Sequence, residues 1–203
     1  MAYAALAGYF VFLLLAFGLR TAIQLRRTGD SGFRGVTGRP GSVEWLAGRL
    51  FVAALLVGVL APVLALTGLV EPLGALDIGA VHAAGAAIYL VGLALTLASQ
   101  FQMGVSWRVG VDEDERTELV ERGLFGLVRN PIFSAMVVVT CGLVMMVPSV
   151  VAFGGLAALV IALELQVRVV EEPYLLRTQG EAYASYAARV GRFVPGVGRI
   201  TGP

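Results

Sequence analysis

Three groups of residues in this chain have types and spacings that can do chemistry. Arg129-Asn130-Pro131 stands directly before an apolar run. Proline suits the first turn of a helix, and the amides left free there, with the positive end of the helix dipole, form an anion site. Arg129, two residues ahead of that proline, can grip a carboxylate through two parallel hydrogen bonds; the bland alternative is an interfacial arginine reaching for lipid phosphate. The second group is Glu164, Arg168, Glu171 and Glu172, which a regular helix would set on one stripe at i, i+4, i+7 and i+8. Such a stripe is costly against lipid and belongs in a bundle interior or a wet cavity, either as a functional site or as an internal salt-bridge ladder. The third is Gly123-Leu124-Phe125-Gly126, whose two glycines, three apart, allow a sharp turn or a close backbone approach to a ligand.

The elements that position these residues follow from composition. Of 203 residues, 58% are hydrophobic and only 14% charged, against about 45–50% and about 25% in a soluble domain. Lipid is therefore the solvent for much of the chain. The 26 glycines show no triplet period and there is one cysteine, Cys141, so a collagen-like fibre and a disulfide-stapled module are both excluded. Cys141, inside an apolar run, reads as a small hydrophobe. A bilayer core of about 30 Å takes roughly 20 helical residues. Five stretches qualify as transmembrane helices of an all-α integral membrane protein: 2–19, 46–69, 80–101, 132–147 and 150–165. Pro148-Ser149 makes the last two a tight hairpin. The first stretch lacks a basic region ahead of it and reads as a mature span rather than a signal peptide.

Charge placement orients these spans. All 15 basic residues are arginine, and all fall in 20–49, 104–130 or the tail after 165; segments 70–79 and 148–149 hold none. Short arginine-rich loops stay in the cytoplasm. The expected topology is N-terminus out and C-terminus in. The polar residues then form a cytoplasmic pocket from segment 104–131, the last helical hairpin and the C-terminal tail. His82, near Asp77 at the opposite end of the third span, reads as an interfacial histidine. No His or Cys cluster exists to hold a metal, and nothing points to nucleic acid.

Gly123–Phe133, followed by a hairpin and then by Arg168, Glu171-Glu172, Gly180-Glu181-Ala182-Tyr183, Tyr186 and Arg192-Phe193-Val194-Pro195, resembles the isoprenylcysteine carboxyl methyltransferase family. It is similar more distantly to the phospholipid N-methyltransferases. The resemblance covers 101–195, the expected catalytic core of a single membrane domain 1–203. Members are small multi-span membrane proteins that use S-adenosylmethionine, bound by an Arg-His-Pro-x-Tyr motif, a downstream Glu-Glu helix and the tail. Here Arg129, Asn130, Pro131 and Phe133 occupy the first motif, with Asn130 for the usual histidine and Phe133 for the usual tyrosine. The element 107–110, beginning Trp107-Arg108, looks like one that bacterial relatives carry after the third span.

The resemblance implies the following roles. Arg129 and the amides after Pro131 would serve the cofactor carboxylate, and Glu171 or Glu172 the ribose diol or the cationic end. Trp107 or Phe125 would wall the base, Gly123 would shape the loop, and Gln100 would reach the pocket from the end of the third span. Arg168, positioned by Glu171, would hold an anionic acceptor near the methyl group. The acceptor would be a hydrophobic or lipid-like molecule entering from the bilayer, with a carboxylate or thiol favoured. Two rivals stand beside this: an NADPH-dependent reductase of the sterol-reductase type, and a non-catalytic scaffold or carrier.

Overall fold

The computed structural model describes residues 1–33, 35, 38–108 and 119–200. Arg34, Val109, Gly110, the acidic run 112–118 and Arg116 within it lie outside them.

Six helices carry the described chain: α1 (Ala2–Thr28), α2 (Val43–Leu66), α3 (Gly79–Met103), α4 (Pro131–Met146), α5 (Val150–Gln179) and α6 (Glu181–Arg189). Helices α1, α2, α3 and α5 are long and apolar enough to cross a membrane. Helix α4 is apolar but has only 16 residues, about 24 Å of rise. Leu56, Leu90, Val150 and Ile161 are exposed, as suits side chains that face lipid. Expected bounds and observed helices differ most at two places: α1 continues through Arg20 to Thr28, and α5 runs past 165 through the charged stretch to Gln179.

Several helix ends have a local cause. Ser42 caps α2 by accepting from the Trp45 amide, and Ser149 caps α5 by accepting from the Ala152 amide. Pro131 occupies the first position of α4, where no amide donor is needed. Gly29 ends α1 in the left-handed conformation.

Packing inside lipid relies on close backbone approach rather than on water exclusion. Helices α3 and α4 meet through Gly85, Gly92 and Gly142; a Cβ on Gly142 would stand 2.4 Å from the Tyr89 amide nitrogen. Tyr9 of α1 donates to the Leu55 carbonyl of α2 at 2.6 Å, and Tyr89 of α3 donates to the Gly8 carbonyl of α1 at 2.8 Å. At one end of the bundle the α2–α3 connection meets the α4–α5 turn, the Leu73 amide donating to the Pro148 carbonyl at 2.7 Å. Away from that end, helices α1–α5 all contribute to the wall of a cavity.

Two wide, π-helical turns interrupt otherwise regular helices, at Leu14–Leu19 in α1 and at Gln166–Glu171 in α5. Both border that cavity, through Ala16 and Phe17 on one side and Gln166 and Glu171 on the other.

Candidate active site

The site is built on the start of α4. Asn130 is its N-cap, and the chain just before it pairs with the tail: the Arg129 amide donates to the Gly191 carbonyl at 2.8 Å and the Asn130 amide to the Arg192 carbonyl at 3.1 Å. The Asn130 side chain donates to the same Arg192 carbonyl at 3.2 Å, and the Ser134 hydroxyl to the Phe193 carbonyl at 2.7 Å. The tail returns over α6, with the Ile200 amide bonded to the Ala187 carbonyl and the Tyr186 hydroxyl donating to the Phe125 carbonyl at 2.6 Å.

Behind this seam lies a buried ion network. Glu172 accepts from Arg129 at 2.5 Å and from both Nε and Nη2 of Arg192 at 2.8 Å. Arg129, only 5% exposed, also donates to the carbonyls of Ala187, Val190 and Gly198. Its Nε alone has no partner among the described residues. The hydrogen bonds that Arg192 donates to Glu172 hold its guanidinium pKa above the ordinary range. Burial, and then the Glu172 charge, push the Tyr183 hydroxyl up to about 12. Burial likewise raises Tyr186.

In front of the seam is a cavity of about 480 Å³, within the roughly 300–1,000 Å³ usual for small-molecule sites. One group of its lining is polar and aromatic: Trp107, the adjacent Arg108 beside Tyr174, Gln166 with Glu171, and Tyr183. The other is apolar: Leu13, Phe17, Phe51, Phe133 and Met136, which share one hydrophobic cluster, and Leu55. Glu171 is hydrogen-bonded to Gln166, and the Arg108 guanidinium lies 5.6 Å from the Tyr174 ring centroid.

Of the residues singled out from sequence, Gln100, Trp107, Phe125, Arg129, Asn130, Pro131 and Glu171 line this cavity. Gln100 is buried in its wall and donates to the Ala16 carbonyl at 2.8 Å. Gly123, Glu172 and Arg168 do not line it. Gly123 has φ +64°, and a Cβ there would collide with the Gln102 side chain, which accepts from the Leu124 amide at 2.8 Å. Its smallness thus serves loop packing. Glu172 holds Arg129 and Arg192 from behind.

The charged stripe of α5 is divided. Arg168 pairs with Glu164 on the outside, its side chain 58% exposed, while Glu171 faces the cavity and Glu172 the buried network. Adjacent residues on a helix point about 100° apart, which already parts Glu171 from Glu172, and the wide turn at Gln166–Glu171 departs further from the 3.6-residue period on which the stripe depended. Sequence reasoning missed Arg192 as an ion partner and Tyr174, Gln166 and Tyr183 as cavity walls. The tail motif that contains Arg192 was visible, but nothing local ties it to Glu172. Among the described residues, no three His, Cys, Asp or Glu side chains are grouped to hold a metal.

A family model described as phospholipid methyltransferase matches residues 80–182. Among solved structures, that of a eukaryotic intramembrane Ras methyltransferase, isoprenylcysteine carboxyl methyltransferase, aligns with a TM-score of 0.69 at 16% identity, covering 98% of this chain and 69% of the other. At that identity the likeness is one of fold. Comparison with curated protein sequences gave no match.

Proposed function

The chain belongs to the phospholipid methyltransferase family, and from that premise we propose that it is an integral membrane enzyme transferring a methyl group from S-adenosylmethionine to a hydrophobic or lipid-like acceptor. The observation that carries this reading is one cavity lined both by a polar, aromatic group and by an apolar cluster. Two reactants of opposite character can then meet inside one enclosure.

The residues present suit the cofactor. S-adenosylmethionine has a carboxylate, an ammonium, a sulfonium, a ribose diol and a flat base. The first-turn amides of α4, which helix geometry leaves without an intrahelical acceptor, match the carboxylate. Glu171 matches the ammonium or the diol, and Trp107 and Phe125 the base. Arg129, with its terminal nitrogens committed to Glu172 and to tail carbonyls, acts in this reading by fixing the start of α4 against the tail. Asn130, Pro131 and Glu172 share that task, and Gln100 is part of the cavity wall held from α1. Bound there, the cofactor supplies a methyl group carried on positively charged sulfur.

The protein's own part is positional. It holds the two reactants in line at contact distance and excludes water, which is where most of the barrier to such a displacement can be removed. A thiolate or carboxylate acceptor needs no general base, and such acceptors suit the site best. The apolar walls from α1 and α2 receive the acceptor's hydrocarbon. Glu171, a carboxylate in the cavity wall, is assigned to the cofactor and not to the anionic reacting end of the acceptor. Arg168, outside the cavity and paired with Glu164, is given no contact with either reactant.

The arginine distribution sets the polar lining toward the cytoplasm, with five spans and the N-terminus outside. A cysteine placed at Gly74 in a Cys141→Ala background tests this. It should react with an impermeant thiol reagent on intact cells, and labelling only after permeabilisation would refute the orientation. The activity itself is tested by incubating the vesicle-reconstituted protein with methyl-deuterated S-adenosylmethionine and host lipid extract. Mass spectrometry should find a labelled apolar product that heat-inactivated protein does not form. An extract with no labelled product would contradict the reading.

A further inference from the structure

Helix α3 ends at Met103 and passes into a 3₁₀ turn over Gly104–Ser106, in which the Gly104 carbonyl accepts from the Trp107 amide at 3.4 Å. Gly104, at φ +59°, turns the chain off the helix axis. The carbonyls of Gly104 and Val105 both accept from α1. Arg20 donates from Nη2 to the Gly104 carbonyl, and Gln24 donates from Nε2 to the Val105 carbonyl at 2.7 Å. A guanidinium at a helix C-terminus also complements the negative end of the dipole.

The same guanidinium covers Trp107, its Cζ 4.8 Å from the indole centroid, a distance at which a cation and an aromatic face attract. From another side Gly32 presses on Trp107; a Cβ on Gly32 would stand 2.9 Å from the Trp107 carbonyl oxygen and 3.2 Å from its ring. Arg20, Gln24 and Trp107 are 3%, 4% and 2% exposed, and Trp107 is part of the cavity wall. Burying an arginine costs desolvation that an apolar residue at the same place would not incur. Its retention here goes with the groups it touches, two of which belong to the short segment that carries Trp107.

We propose that Arg20 and Gln24 are positioning residues for the cofactor side of the site: by capping α3 from α1 they fix Trp107 as the wall against which the cofactor's base rests. The inference rests on the reading of the cavity as a methyltransferase site. The first span is thus a working part of the site, although it lies outside the segment that carries the family resemblance.

Trp45 and Trp107 are the two tryptophans, so a Trp45→Phe background isolates Trp107. In the full chain in detergent, Arg20→Leu should shift Trp107 emission to the red, raise its quenching by acrylamide, and weaken S-adenosylhomocysteine binding by about tenfold. Arg20→Lys, which keeps the charge but loses the planar fork, should fall between. Gly32→Ala presses on Trp107 while leaving Arg20 in place, and should produce the same pair of changes; it carries the test should Arg20→Leu fail to fold. Wild-type emission and affinity in these variants would overturn the proposal, as would either change without the other. If the unsubstituted chain does not bind S-adenosylhomocysteine, the methyltransferase reading fails, and wild-type emission in Arg20→Leu would show separately that Arg20 does not hold Trp107.

Discussion

Glu172 accepts hydrogen bonds from two arginines that lie 43 and 20 residues away in the chain. With Arg129 beside it almost wholly buried, removing the carboxylate strands a cation in a low-dielectric seam. That costs about 3–5 kcal/mol. Glu172→Ala should therefore lower stability by that amount and release the tail, measured by denaturant unfolding and by faster tryptic cleavage after Arg192. Arg168→Ala removes only an exposed i, i+4 pair, worth less than about 1 kcal/mol, and should leave both readouts near wild type. Equal effects from the two substitutions would contradict this division of roles. Sequence placed Arg129, Glu171 and Glu172 near the chemistry because proline and a paired acidic motif are local signals. It could not set Arg192 against Glu172, since no local periodicity links residues joined only by the returning tail.

At the scale of elements, the wide turn at Gln166–Glu171 adds to the parting of the α5 charges. Composition does not encode such a turn; it arises where packing favours one extra residue per turn, and so the regular period read from spacing does not hold through it. The apolar helices, the α4 start at Pro131 and the Pro148-Ser149 hairpin were all legible, because each depends on residues adjacent in sequence. Helix α6 is held by buried tyrosines. Tyr183, pushed up to about 12 by burial and by Glu172, keeps its proton in the folded state more tightly than in an unfolded tail, where tyrosine ionises near about 10. The stability it contributes is therefore complete below pH 10 and is lost as pH rises through 12. Tyr183→Phe should delete one late component from the tyrosinate absorbance titration in detergent. Deletion of a component near pH 10 instead would show that Tyr183 is not buried as described.

For the whole molecule, a net charge of +1 conceals a polarised object. Along the chain every arginine falls in 20–49, 104–130 or after 165, while segments 70–79 and 148–149 hold none. Hydropathy alone made the membrane legible. It did not show that α1 and α2 supply apolar walls of the cavity and that α1 caps α3, because those contacts involve residues that read as ordinary span or interface positions. The central claim is that this enclosure binds an S-adenosyl cofactor beside an apolar acceptor chamber. Calorimetric titration of the purified full chain tests it most directly: S-adenosylhomocysteine should bind at one saturable site, Glu171→Gln should weaken it, and NADPH should give no signal. Absence of binding by S-adenosylhomocysteine, or saturable binding of NADPH in its place, would contradict the account.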